Sequence, residues 1–449
     1  MKNKIIPFKG IRYNLKMFNS PEEFVCWPYD IINKKQQNEF YKKSKYNIIR
    51  LALGKERKND DEKNNKYTRA AKYFDEWFKK GILIQEPKES FYIYRQKYTV
   101  PGTKEKKELF GFIGLIKLRD YSDKVILPHE DVLKKPLEDR FKLTVATKIQ
   151  MSAIYGLYKD KANNIDNLLD DYMRKKRALI TYKETSDMIH KIWKIDDEIM
   201  IKNIQSIINN KIIYIADGHH RYQTMLNFRE YYRKKYNIPD NVEHPVDYIL
   251  MFFVNSEHQG LTILPTHRLL YNLGEMKLKS MLKHIKDYFN LEVFTFKNKQ
   301  EEQIKQAEWL QKLKNAPKDI HSFGIYVKNV KRYFLLTLQN KDAYLEMGDV
   351  DKSKTWKSLD VSIIHTLLID HILHLTKKDI SNQIYIDYTK DVSDAINKVK
   401  HDKYQAAIIL NPTKIDEILK IAENGEKMPQ KSTYFYPKIL TGFVFNKML

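Results

Sequence analysis

Apolar positions along this chain recur with two periods, one of 2 and one near 3.6 residues. The switches between them predict a mixed α/β protein with strands and helices in alternation. Ile48-Ile-Arg-Leu-Ala-Leu53 reads as a strand ending at Gly54, while Tyr67, Ala70, Ala71, Phe74 and Phe78 keep helical spacing up to a stop at Gly81. Phe91 to Val100 and Leu109 to Leu118 predict an antiparallel pair joined by a polar Pro101-Gly102 turn. Further on, Tyr248 to Val254 predicts a strand, Phe323 to Val327 with Tyr333 to Leu338 a hairpin, and Leu359 to Leu375 a helix opened by Asp360. Ala406 to Leu410 reads as a strand, Asn411-Pro412 as the start of a helix that Gly425 ends, and Leu440 to Phe445 as a last strand. The pattern divides the chain into residues 1–118, 119–270 and 271–449, and with no low-complexity linker between them these regions are expected to pack together.

One switch of period carries chemistry. Ile212, Ile213, Tyr214 and Ile215 form a short apolar run, Asp217-Gly218 turns the chain, and Met225, Phe228 and Tyr232 then share one helical face. Asp217, His219, His220 and Arg221 therefore sit on a strand-to-helix turn, where backbone N–H groups and the helix dipole favour an anion. Folding alone does not call for a carboxylate, two imidazoles and a guanidinium within five residues, so the cluster reads as a phosphate or carboxylate site. The competing reading makes Asp217 a helix cap and the histidines surface residues. A zinc reading is weaker, because adjacent histidines point apart on a helix and the chain has no cysteine ligand set.

At 449 residues the chain can bury two or three cores, and its 42% hydrophobic and 31% charged composition is that of a globular protein. No apolar run reaches membrane-span length, and the N-terminal Met1 to Phe8 lacks the apolar length of a signal peptide. A single cysteine, Cys26, excludes an internal disulfide framework and suits a reducing compartment, so a cytoplasmic location with no membrane partner is expected. The formal charge of +23 invites a nucleic-acid reading, but the lysines are scattered over every helix face and no nucleic-acid-binding motif is legible. Nucleic acid is an admissible but disfavoured partner. There is no Gly-x4-Gly-Lys-Ser/Thr loop, no Gly-x-Gly-x-x-Gly, no Gly-x-Ser-x-Gly and no His-Glu-x-x-His; only 14 glycines occur in all. A bound nucleotide would be held without the commonest loops.

Other motifs collect near strand ends. Pro128-His129-Glu130 follows a short strand, and Thr266-His267-Arg268 follows Pro265, so imidazole and charge recur where α/β proteins gather ligand-binding loops. In the polar, aromatic stretch Gly425 to Lys438, Lys431, Ser432 and Thr433 offer one cation and two hydroxyls to a phosphate, and Tyr434 or Tyr436 a ring to stack on a base. Trp27-Pro-Tyr-Asp30 reads as a loop anchor. His365, His371 and His374 read as core or surface histidines, since no carboxylate completes a ligand set. Cys26 has no nearby histidine and is a poor nucleophile candidate.

Taken in order, Pro7-Phe-Lys-Gly-Ile-Arg-Tyr13, Pro28-Tyr-Asp-Ile31, Leu127-Pro-His-Glu130, Ala216-Asp-Gly-His-His-Arg-Tyr222, Leu264-Pro-Thr-His-Arg268 and Met428 to Lys438 resemble the uncharacterised bacterial family known as domain of unknown function 1015, over nearly the full length. The Asp-Gly-His-His-Arg turn is also similar to the phosphate-binding turn of the ParB/sulfiredoxin superfamily. That superfamily includes sulfiredoxin, the ParB nucleotidases and an archaeal free-serine kinase. The resemblance implies a ParB/sulfiredoxin-like core with additional α/β lobes. It also implies that Gly218, His219, His220 and Arg221 hold phosphates, with Asp217 near the metal or the reacting hydroxyl. The sulfiredoxin cysteine has no counterpart beside this turn, which argues against redox repair chemistry.

These readings converge on a nucleotide-dependent phosphotransferase, kinase-like, acting on a small hydroxyl-bearing metabolite with ATP or ADP and Mg²⁺. Arg221, Arg268 and Lys431, helped by His267, Ser432 and Thr433, would neutralise or bind phosphates. Asp217 or Glu130 would be the base or Mg²⁺ ligand, and His219 or His220 would bond the transferring group. Two alternatives stand beside it: a non-catalytic ParB-like nucleotide- or DNA-associated module, and a metal-dependent hydrolase.

Overall fold

The computed structural model describes residues 2–132, 134–317, 319–339, 343–347, 349–381 and 384–449. The chain divides into two compact units, residues 1–262 with 437–449, and residues 263–436. Mixed α+β architecture, as the alternating periods require, holds in both.

The first unit is built on a nine-stranded mixed sheet. Its strands are β1 (Ile5–Ile6), β2 (Phe91–Thr99), β3 (Lys106–Lys117), β4 (Ile126–Pro128), β5 (Ile154–Tyr158), β6 (Ile180–Thr185), β7 (Met188–Ile195), β8 (Ile213–Asp217) and β9 (Tyr248–Asn255). They lie in the order β4-β8-β5-β9-β3-β2-β7-β6, with β1 added to β3. Every residue of β9 is buried, because this central strand is covered on both faces and reads as a continuous apolar run. β9 bonds to β3 with Phe253 opposite Phe112, so residues before and after position 118 share one sheet. At the other end, β8 runs parallel to β4 and antiparallel to β5. Helices α1 (Lys66–Lys79), α2 (Lys134–Thr147), α3 (Asn164–Lys175), α4 (Glu198–Ile208) and α5 (His219–Lys235) complete the parts needed below. In α1, Asn65 caps the first turn and Ala70, Phe74 and Trp77 turn inward. Trp77 takes the core position that the spacing gave to Phe78.

Two sequence expectations fail here. Ile49–Ala52 is a short helical turn rather than a strand, its start fixed by Asn47 Oδ1 accepting from Ile49 N at 3.0 Å. A six-residue run with one polar position, Arg50, is too short to show a period that chooses between the two states, and a local side-chain bond decides. Leu440 to Phe445 forms no strand beyond bridge residues at Thr441 and Phe445, because Gly442, at φ 115°, breaks the extended run; Asn446–Lys447 then pairs with Ile149–Gln150.

The second unit carries a six-stranded antiparallel sheet. Its strands are β10 (His267–Leu270), β11 (Phe289–Thr295), β12 (Ser322–Val327), β13 (Arg332–Leu338), β14 (Ile386–Thr389) and β15 (Ala406–Ile409), ordered β11-β13-β12-β15-β10-β14. Helices α6 (Lys299–Lys314) and α8 (Val392–His401) bury Trp309, Ala395, Ile396 and Val399 in one core with Leu269, Ala407 and Ile409. Between them in the chain, α7 opens at Asp360 and continues through Ile364–Ile372 as a π-helix, a wider turn than α. The helix expected from Asn411-Pro412 begins later, as α9 (Ile415–Glu423). Among the described residues, no helix is long and apolar enough to cross a membrane.

Candidate functional site

The buried run Ile213 to Ala216 ends β8 against the core, and α5 begins after a single turn residue. That residue, Gly218, has φ 98°, and a Cβ there would meet the Arg221 guanidinium at 3.0 Å. Both facts require glycine. Asp217 stands at the end of the strand with its carboxylate held between two cations. Arg221 Nη2 donates to one oxygen at 2.7 Å, and Lys438 Nζ donates to the other. Arg221 Nη1 donates at 2.5 Å to the Ala153 carbonyl, one residue before β5. Burial alone would raise the Asp217 pKa, but the charges of Lys438 and Arg221 outweigh it and hold the carboxyl well below the usual range. A carboxylate this acidic is a poor proton acceptor. It sets the two cations in place.

Lys438 is itself anchored on β2. Gln96 Nε2 donates to the Lys438 carbonyl at 2.9 Å, and Leu440 N donates to Tyr94 Oη at 3.4 Å. Tyr94 Oη lies 2.8 Å from His190 Nδ1, whose Nε2 is 2.9 Å from Glu184. This buried chain fixes the segment that delivers the ammonium.

The imidazoles of His129 and His219 meet edge to face with centroids 4.7 Å apart. His129 Nδ1 lies 2.8 Å from the Ile215 carbonyl and so carries the proton; His129 N donates to His219 Nε2 at 3.3 Å, which places the His219 proton on Nδ1. Burial pushes the His129 pKa down to about 4, so its ring is neutral at pH 7. Parallel pairing sets Pro128 opposite Ile215, so Glu130 and Asp217 both lie just past the last residues that pair these neighbouring strands. Glu130 and His220 are half-buried.

Two cations and one carboxylate leave one net positive charge where the α5 dipole is also positive. Tyr29 and Arg140 border the same place. The Arg140 guanidinium lies 4.1 Å from the Tyr29 ring centre, and the Tyr29 hydroxyl, its pKa raised by burial, feels the charges of Arg140, Arg221 and Asp217. A narrow cavity runs between them, lined by Tyr29, Arg140, Thr144, Gln150, Arg221 and Thr224.

The predicted residues thus divide. Asp217, Gly218, His219, His220, Arg221 and Glu130 belong to the first unit; His267, Arg268, Lys431, Ser432 and Thr433 belong to the second. His267 and Arg268 do not flank a sheet edge. They lie inside β10, between β15 and β14, and as neighbours in a strand they face opposite sides. The Ser432 hydroxyl is buried and donates to the Pro429 carbonyl, so it closes a local turn. Lys431 sits in the left-handed region at φ 57°. Sequence reasoning missed Lys438 as a site residue and gave Tyr29 only a structural part. Lys438 closes and Tyr29 lies within a motif already singled out, but a long-range ion pair across 221 positions leaves no local period.

Net positive charge at a helix N-terminus beside a close-approach glycine suits nucleotide phosphate. For Mg²⁺ the fit is poorer. Among the described residues no three metal-type side chains converge, and Asp217 already accepts from two cations. An ion there would rest largely on phosphate oxygens and water.

Fold and site define a mixed α+β protein whose strand-to-helix turn brings a carboxylate and two cations together. The chain belongs to the protein family of unknown function DUF1015, matched over residues 5–362. No curated protein matches it. Among solved structures it is similar to a free serine kinase in complex with AMP, at 12% identity and TM-score 0.34, over 72% of this chain and 86% of that one. It is also similar to a conserved hypothetical protein from Pyrococcus furiosus, at 13% identity and TM-score 0.33, over 74% and 92%. A third is C-terminally truncated SbnI from Staphylococcus aureus, at 10% identity and TM-score 0.34, over 73% and 85%.

Proposed function

We propose that the Asp217 turn binds the phosphates of a nucleotide, ATP or ADP. The protein would then be a kinase-like phosphotransferase acting on a small hydroxyl-bearing metabolite. One observation carries this reading: Lys438 and Arg221, organised by a single ionised carboxylate, leave an excess positive charge at the α5 N-terminus. Phosphoryl transfer is mostly positioning and charge neutralisation, and this arrangement supplies both. The backbone from Gly218 to Arg221 receives the phosphate and Lys438 and Arg221 neutralise it. His219 and His220 bond the transferring group, and His129 holds His219 in one tautomer. Glu130, which follows β4 beside the end of β8, takes the proton of the acceptor hydroxyl. Asp217 is the organiser rather than the base. Mg²⁺, when bound, would neutralise further phosphate charge. The second unit repeats the chemistry of an anion contact at Lys431 and Thr433. Kinship of the turn with the ParB/sulfiredoxin superfamily and a cytoplasmic location are parts of the same proposal.

The test is transfer itself. The full chain is incubated with ATP or ADP, Mg²⁺ and a panel of small hydroxy acids, amino acids and polyols, and ³¹P NMR follows new phosphomonoester. One acceptor should give product, and Glu130→Gln should lose about 10²-fold or more in rate, the span of a general base, with nucleotide binding retained. Nucleotide binding without transfer to any acceptor would leave a binding module in place of the enzyme. Undiminished transfer by Glu130→Gln would remove Glu130 from its role.

A further inference from the structure

Arg268 is fully buried, and among the described residues no carboxylate pairs with its charge. Its Nη1 donates to the Thr266 carbonyl, while Nε and Nη2 have no hydrogen-bond partner. These two groups form one edge of the guanidinium fork, the edge that accepts both oxygens of a carboxylate or phosphate. Elsewhere this chain fills that edge with its own acids. Arg233 donates through Nε and Nη2 to Asp247 at 2.8 and 2.5 Å, and Arg140 through the same atoms to Asp139 at 3.0 and 2.5 Å. At Arg268 the ring of Tyr388, its cross-strand partner, lies with its centre 5.6 Å from the guanidinium carbon. A guanidinium removed from water with no counter-charge and a single backbone acceptor is strongly disfavoured.

The surroundings are those of a site. His365, in the π-helical part of α7, has its pKa pushed down to about 3 by burial and then by the Arg268 charge, which brings the two side chains within each other's field. Its Nε2 and the Ser362 hydroxyl, one turn earlier, are buried without partners. π-helical turns recur at functional sites because they re-aim side chains. Burial lowers the Arg268 pKa only to about 10, so the fork stays cationic at neutral pH. His267 belongs to the other sheet face, where its Nδ1 accepts from Leu410 N at 3.3 Å.

We propose that the second unit holds a compact oxyanion, the carboxylate or phosphate group of a small ligand, on the Nε–Nη2 edge of Arg268 with His365 near it. This site stands apart from the reading of the Asp217 turn.

Thermal unfolding of the full chain tests it, with chloride replaced by acetate, inorganic phosphate or AMP at constant ionic strength. At least one should raise the wild-type Tm by several degrees with saturation, by mass action on the native state. The rise should persist in Lys438→Met, which alters the Asp217 turn, and vanish in Arg268→Met. In chloride, Arg268→Met should melt no lower than wild type. A rise with acetate assigns a carboxylate; one with phosphate or AMP alone assigns a phosphate, free or nucleotide-borne. Should Arg268→Met fail to fold, ¹⁵N-histidine spectra of the wild type decide: the His365 signal must move along the same titration. A wild type unmoved by all three, a rise lost in Lys438→Met, or a still His365 signal would overturn the proposal.

Discussion

Arg221 in the first unit and Arg268 in the second are both guanidiniums beside a strand, and sequence reasoning gave both the same task. Their surroundings differ by one group. Arg221 and Lys438 share the Asp217 carboxylate, whereas Arg268 has, among the described residues, a backbone carbonyl and an aromatic ring but no acid. In the first unit the protein has set most of the charge in place for itself, and the excess left for a ligand is one unit spread over a turn. In the second the whole cation is unspent. What a buried cation calls for is decided by its partners, not by its burial.

Removing the organiser of the first site should break the comparison most severely. Asp217→Asn leaves two nearly buried cations facing each other, and urea unfolding should show a loss of about 3–5 kcal/mol. Lys438→Met placed on top should restore part of it, since one unpaired charge is then gone. A loss below about 1 kcal/mol would mean that solvent already screens the cluster.

Next is acid. His129 has a folded pKa near 4 against an ordinary value of 6.5, so the folded state binds fewer protons than the unfolded chain. Stability is then full above pH 6.5 and falls as pH drops towards 4, by on the order of 3 kcal/mol for this one ring. His258, depressed to about 4 by burial, and His267 and His365, depressed to about 3, act in the same direction. Asp217, with its depressed pKa, adds a further loss only below about pH 3.8. Tm measured against pH should therefore fall from pH 6.5 downward, and His129→Asn should flatten part of that slope. A profile flat between pH 6.5 and 4.5 would contradict the neutral buried histidines.

Gly218→Ala should cost about 1–2 kcal/mol from the left-handed backbone and should push Arg221 off Asp217. A cost of a few tenths would show that the turn relaxes. The smallest change is predicted at the largest buried cation: Arg268→Met in anion-free buffer should leave stability within about 0.5 kcal/mol of wild type or raise it. A loss like that of Asp217→Asn would erase the difference between the two regions.

How much of this was legible follows from the range of each signal. The Asp217–Arg221 turn was readable because strand, glycine, helix and charges lie within one short segment, where a change of period and a positive-φ requirement announce them. The β2–β3 pair was readable for the same reason. The run at Ile48 was not, since an apolar stretch without period fits either state and Asn47 decided it. Lys438 was invisible as a partner of Asp217 because it arrives from the far end of the chain, held by Gln96 and Tyr94. His267 and Arg268 were seen as a pair by adjacency, yet strand alternation sets them on opposite faces.

The α5 N-terminus is expected to bind nucleotide phosphate. Isothermal titration of ATP and ADP, with and without Mg²⁺, into wild type, Lys438→Met and Arg221→Ala tests this most directly. Folding of each variant is checked by circular dichroism. Saturable binding to the wild type, weakened about tenfold or more in both variants as one lost charge-assisted contact implies, is the predicted result. Equal affinity in all three folded proteins, or no binding of either nucleotide to the wild type, would contradict it.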